Sequence, residues 1–406
     1  MPRSPHARPC LCVEGLEERL TPTFVTRPGV TSQVVNGVRV PTGGLSIAAG
    51  NLLPDPSGAG SVDSEYVTGT GPGTEGKVRL WRLDGTNGSA QNTPVLTITP
   101  FPGFTGGINV AVGDVTGDAN MEIIAAVAAN GPPHVKVFDV QGNELGSFLA
   151  FDAKFLGGVN IATGNVLGGI AGGGFAGGTV SGGFKQEIII GAAAGDTPHV
   201  VVANAAGTIF RSFLAFDLGY RGGVTVTAAD LDNQATPDYA LSGSDTNAYD
   251  EIIVGAATNV PHVKAFGVST GAIVERLSFY AFDPGVQQGV TVAAGPTDTN
   301  RAAQIFVSQS VPANSPTGPR IRVFGAAGNQ RFEFAPFPDL YTRAVNLTVA
   351  YLTPGGYDPE DEDTSPSNFS FQTQDLAVVA ADGPLFQEPR YFIGRTGQVA
   401  GAGGPP

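Results

Sequence analysis

The chain has 406 residues, 58 of them Gly and 31 Pro, and only 14% of them charged. That is roughly twice the usual share of Gly plus Pro and about half the usual charge, which disfavours a helical bundle or coiled coil. A net charge of −14 with five lysines argues against a nucleic-acid partner, which needs clustered Lys and Arg.

In chain order, residues 1–23 read as a leader, a targeting segment or a disordered segment. Cys10 and Cys12 both lie there, so the body has no disulfide framework, and C-x-C alone offers too few ligands for zinc. No apolar stretch reaches the ~18 residues of a membrane helix. Residues 24–400 then read as one domain, within which a unit repeats from about residue 43. Gly106-Gly107-Ile108-Asn109-Val110-Ala111-Val112-Gly113-Asp114 recurs at Gly157–Asn165 and at Gly222–Asp230, with looser copies from Gly43, Gln288 and Arg343. Units therefore begin near residues 43, 106, 157, 222, 288 and 343.

Each unit holds four short runs. The second reads Glu122-Ile123-Ile124, echoed at Glu187 and Glu251. The third reads Pro133-His134-Val135, echoed at Pro198, Pro261 and Pro319. The fourth reads Ser147-Phe148-Leu149-Ala150-Phe151-Asp152, echoed at Ser212 and Ser278. Runs of β-branched and aromatic residues bounded by Gly, Pro, Asn and Asp predict strands. Four strands per unit, repeated around a ring, predict an all-β single β-propeller of six four-stranded blades. The last unit lacks the Ser-Phe-x-Ala-Phe-Asp run, and residues 401–406 read as a disordered tail. An unpaired edge is a liability. Part of Phe24–Val40 is therefore expected to supply the missing outer strand of the last blade.

The loop after the first run of the second unit reads Asp114-Val115-Thr116-Gly117-Asp118-Ala119-Asn120-Met121-Glu122. It resembles the FG-GAP (VCBS-type) repeat of integrin-α-like propellers, whose loop is D-x-[DN]-G-D-G-x-x-D. Ala119 replaces the usual Gly and Glu122 the usual Asp. The segment Val13-Glu14-Gly15-Leu16-Glu17-Glu18-Arg19-Leu20-Thr21-Pro22 also resembles a short LE-x-R-x-TP segment of exported bacterial repeat proteins. These resemblances imply a calcium-binding propeller used at the cell surface or extracellularly for adhesion or recognition.

Calcium takes six to eight oxygens from a tight loop. Positions 1, 3, 5, 7 and 9 here are Asp114, Thr116, Asp118, Asn120 and Glu122. The fourth unit offers Asp230, Asp232, Gln234 and Asp238 at positions 1, 3, 5 and 9. Asp and Asn are equally at home in such loops as turn formers that accept nearby amides.

His134, His199 and His262 share one repeat column with Lys77, Arg320 and Arg390. They form either an anion-binding ring or packing between blades. The column Phe101, Phe151, Phe216, Phe282 and Phe337 reads as blade-to-blade packing. Gly172–Gly177 matches G-x-G-x-x-G but lacks the following helix pattern and acid that a dinucleotide site needs. The acidic tract at Asp358 and Glu360–Asp363 reads as a solvated loop.

The three body histidines occupy repeat equivalents, and no H-E-x-x-H string occurs. The expectation is therefore a non-catalytic, monomeric, exported module that recognises a protein or cell-surface glycan. A lectin-like propeller and a propeller hydrolase or lyase are the alternatives. Antiparallel blades send the loops between strands one and two to a first face, with the long inserts. The His turns and Gly-Gly links go to a second. Variable inserts favour binding on the first face, whereas the FG-GAP resemblance favours the second.

Overall fold

The computed structural model describes residues 32–35, 38–41, 45–53, 65–82, 94–167, 185–231, 250–268, 272–285, 288–295, 303–309, 319–336, 345–350, 375–380, 390–393 and 398–399. All regular structure among them is strand. β1 (Ser32–Val35) and β2 (Val38–Pro41) pair with each other. The next strands form consecutive four-stranded sheets. Blade one is β3 (Leu45–Gly50), β4 (Glu65–Thr70), β5 (Val78–Trp81) and β6 (Leu96–Ile98). Blade two is β7 (Ile108–Gly113), β8 (Glu122–Val127), β9 (His134–Phe138) and β10 (Glu144–Leu149). Blade three is β11 (Val159–Gly164), β12 (Glu187–Ala192), β13 (His199–Ala203) and β14 (Ile209–Leu214). Blade four is β15 (Val224–Ala229), β16 (Glu251–Ala256), β17 (His262–Val268) and β18 (Ile273–Tyr280). Blade five is β19 (Val290–Gly295), β20 (Gln304–Gln309), β21 (Ile321–Phe324) and β22 (Gln330–Phe334).

These five blades are described through their side chains. A further four-stranded sheet of β23 (Val345–Ala350), β24 (Asp375–Ala380), β25 (Arg390–Ile393) and β26 (Gln398–Val399) is described mainly by its backbone pairing. Every neighbouring pair in these sheets is antiparallel.

Among the described residues, the expected closure of the last blade by Phe24–Val40 is not seen. β1 and β2 pair with each other, Val34 opposite Arg39. The fourth strand of the last sheet is β26, whose Val399 faces Phe392. A two-residue strand carries too little hydrophobic pattern to be seen in the sequence. The ring closes through inner strands instead: Asn346 Nδ2 donates to the Leu45 carbonyl oxygen at 2.7 Å, joining β23 to β3.

The same join recurs around the ring. Ser46 donates to the Ile108 carbonyl at 2.6 Å, Asn109 to Val159 at 2.8 Å, Asn160 to Val224 at 2.7 Å and Thr225 to Val290 at 3.0 Å. In each case the second residue of an inner strand holds the first residue of the next.

The core lies between blades rather than within them. Ile124, Val135 and Val137 of blade two pack with Ile161, Ile188 and Ile190 of blade three. Ile189, Val200 and Val202 pack in turn with Val224, Ile252 and Val254 of blade four. Because neighbours cover both sheet faces, β8, β12 and β16 are buried along their whole length. This is why their sequences run apolar without alternating. The outer strands β10 and β14 have one wet face and do alternate.

Candidate functional site

The first face begins at the Asp114 loop. Asp114 Oδ1 accepts the Gly117 N–H at 2.6 Å and Oδ2 the Ala119 N–H at 2.9 Å. Asp118 Oδ1 accepts the Asn120 N–H at 2.9 Å. Glu122 Oε2 accepts the N–H groups of Val115 and Thr116 at 2.9 and 3.0 Å, and Oε1 accepts the Thr116 hydroxyl at 3.2 Å. Gly117 and Ala119 both take positive φ, +82° and +70°. The loop thus coils around its own carboxylates. Burial raises the Glu122 pKa against the opposing pull of the Thr116 and Val115 amides, and the Asn120 amide lowers that of Asp118.

A calcium ion needs its oxygens to converge on one point. Here Asp114, Asp118 and Glu122 each accept backbone amides, and the Thr116 hydroxyl is engaged by Glu122. Among the described residues, no three His, Cys, Asp or Glu side chains form a group able to hold a metal ion. As arranged, the three carboxylates of this set, Asp114, Asp118 and Glu122, are taken up by amides of their own loop. Of the second set, Asp230 is described, whereas Asp232, Gln234 and Asp238 lie outside the described residues. So do Cys10, Cys12, Gly172–Gly177, Phe337 and the acidic tract at Asp358–Asp363.

Glu122 belongs to a column the sequence shows only as a repeated letter. It pairs with Gly113 at the head of its hairpin, as Glu65 does with Gly50, Glu187 with Gly164 and Glu251 with Ala229. Glu65 Oε2 accepts the amides of Leu52 and Leu53, both at 3.0 Å. Glu187 Oε2 accepts those of Val166 and Leu167, both at 3.1 Å. Glu251 Oε2 accepts that of Leu231 at 3.0 Å. All four glutamates are buried. The column folds the loop between strands one and two back onto its own blade.

The second face carries the histidines. Nε2 of His134, His199 and His262 bonds to the hydroxyl of Ser147, Ser212 and Ser278, at 2.8, 2.6 and 2.9 Å. Each imidazole also lies against the Phe from the preceding blade: Phe101 on His134, Phe151 on His199 and Phe216 on His262. Lys136 and Lys264 stand over Phe101 and Phe216, and Arg322 over Phe282. The His and Phe columns are therefore packing between blades, and each imidazole is tied to a Ser. Burial lowers the pKa of His134 and His262, with Lys136 and Lys264 adding to it, so both favour the neutral form.

Next to these columns, large apolar side chains reach solvent. Leu149, Leu214 and Tyr280 occupy equivalent ends of the outer strands and are all exposed. Leu156 and Leu218 follow in the links to the next blade and are 59% and 64% exposed. The Tyr280 ring stacks on His262 at 4.6 Å and 28°. The repeated Leu, Leu, Tyr was legible in the sequence as part of the fourth run. Its exposure was not, because it abuts a buried Ala.

No known protein family matches the chain, and no curated protein matches it. Solved structures do resemble it in shape. One is AofleA from Arthrobotrys oligospora, 10% identical over 87% of this chain and 84% of that one, with a TM-score of 0.48. Another is the fucose-specific lectin from Aleuria aurantia, 15% identical over 89% and 97%, TM-score 0.45. A third is BBS1N in complex with ARL6DN, 11% identical over 86% and 76%, TM-score 0.38. The ring of antiparallel sheets decides the architecture. The fold is a β-propeller. Among its described residues no helix is long and apolar enough to cross a membrane.

One string in this propeller resembles a hydrolase signature. Gly267-Val268-Ser269-Thr270-Gly271 has the form G-x-S-x-G. A nucleophile elbow needs a strand-to-helix turn. This string instead joins the hairpin strands β17 and β18, and Ser269–Gly271 lie outside the described residues.

Proposed function

We propose that this propeller is a non-catalytic recognition module that binds a protein partner at a cell surface, using the short-looped face. The observation that carries the reading is the repeated exposure of Leu149, Leu214 and Tyr280 beside Leu156 and Leu218 on that face. Exposed apolar side chains repeated at one position of successive blades and set among polar groups are what a recognition surface would present. The His–Ser pairs and the Lys136–Glu144 and Lys264–Glu275 ion pairs supply such a rim. In this reading the Asp114 loop is a turn held by its own amides, and calcium has no part in binding.

A glycan is the second reading, favoured by Tyr280, whose half-exposed ring is fixed on His262 and flanked by the Ser278 hydroxyl.

The test compares the intact protein with Leu214→Asp/Leu218→Asp and with Tyr280→Ala on a glycan array and on immobilised cell-surface protein. The protein reading expects the double aspartate variant to lose surface-protein binding at least tenfold. Loss of glycan-array binding in Tyr280→Ala alone would favour the lectin. Unchanged binding in both variants would remove this face from consideration.

A further inference from the structure

The seam between blades three and four differs from the other described seams. At three of the seams, the residue just before the column Glu or Gln donates its N–H backwards to the preceding blade. Gln186 N–H donates to the Asp114 carbonyl at 2.7 Å, Asp250 to Asn165 at 3.0 Å and Ala303 to Asp230 at 3.2 Å. The residue at this position is Met121, Gln186, Asp250 or Ala303, so Asp250 alone of the four is an acid. Its Oδ2 accepts the Asn165 N–H at 2.8 Å. Glu187 Oε2 takes the next two amides, Val166 and Leu167. Two carboxylates from adjacent blades thus grip three consecutive amides.

Glu187 also differs from the other glutamates of its column. In blade two the second carboxylate oxygen receives the Thr116 hydroxyl, and in blade one it faces Arg82 Nε at 3.4 Å. Leu167 stands where Thr116 stands in blade two. Glu187 is 1% exposed, and its Oε1 has no hydrogen-bond partner among the described residues. Asn165 Oδ1, on the residue before Val166, is also buried without one among the described residues. A buried carboxylate oxygen without a donor is costly when charged and much less so when protonated.

We propose that the seam between blades three and four is a proton-responsive latch, with Glu187 the group that takes up the proton. The charges acting on Glu187 are few. Lys185, on the same hairpin, lays its stem over Gly117 of blade two and favours the ionised form. Asp250, from blade four, opposes it, and Asp230 acts in turn on Asp250. Inner strand β11 carries no charged residue. Burial dominates, raising Glu187 to about 7 and Asp250 to about 6.

The sign follows from linkage. Glu187 binds its proton more tightly folded than unfolded, so its contribution is fully present below the ordinary pKa of 4.5 and is lost as pH rises through about 7. The latch is tight in mild acid and slack above neutrality. Gln304 holds the same register position in blade five, opposite Gly295, so the column accommodates a neutral carboxamide.

The test is the melting temperature of the full chain and of Glu187→Gln from pH 5 to pH 8. The variant mimics the protonated state. It is expected to melt above the wild type at pH 8, with the gap closing towards pH 5. A gap that stays constant with pH, or a variant less stable at pH 8, overturns the proposal. Should the variant fail to fold, the carboxyl carbon resonance of Glu187 in the wild type decides. A midpoint near 7 is expected, and a midpoint below 5 contradicts the latch.

Discussion

Glu122, Glu65, Glu187 and Glu251 sit at one register position, each gripping amides of the loop before it. Their spacing was plain in the sequence, as the repeated Glu-Ile-Ile, but their role was not. An acid nine residues into an Asp-rich loop suits a calcium ligand and a backbone clamp equally well, because both demand an oxygen at the loop's close. Burial separates the two. Glu122 is 2% exposed and takes three donors from its own loop. Glu122→Ala therefore strands the Val115 and Thr116 amides, at a cost of about 1–3 kcal/mol. Melting curves should show that loss, and a calcium chelator should leave the intact protein's curve unmoved. A chelator-dependent fall would return the loop to metal binding.

The strands themselves were legible because three physical signals coincide in each: apolar content, β-branching, and Gly, Pro or Asn at the ends. Order and number within each unit followed from the repeat. What joins the blades was hidden. Asn109, Asn160 and Thr225 interrupt apolar runs at their second position, and a polar residue there reads as the wet face of a strand. In the ring it bonds across the seam. Asn160 is the most engaged, donating to the Val224 carbonyl at 2.7 Å and accepting from Asn109 Nδ2 at 3.0 Å. Asn160→Ala should cost about 1–2 kcal/mol. Urea unfolding would read it as a lower midpoint at constant slope. An unchanged midpoint would mean that the seam is held by apolar packing alone.

The shape of the links shows why the second face is short-looped. Gly158 adopts φ +76°, and a Cβ there would lie 2.4 Å from the Ala128 backbone of the preceding blade. Only Gly lets the chain enter blade three so close to blade two. This leaves the links flat and the outer-strand ends in water, where Leu149, Leu214 and Tyr280 form the surface assigned to recognition.

At the scale of the molecule, the two faces and the proton-responsive seam all presuppose a ring that closes on itself. Closure was the largest misreading available from the sequence, since β26 is too short to announce itself and Phe24–Val40 looks like a spare strand. The structure joins β23 directly to β3 through Asn346 and keeps β1 and β2 as a pair of their own. The most direct measurement is the melting temperature of the chain lacking residues 1–41 beside that of the full chain. Closure through inner strands predicts agreement within about 2 °C, the change expected for less than 1 kcal/mol in a chain of this size. A loss of many degrees, or a truncated chain that does not fold, would contradict it and return the N-terminal segment to the last blade.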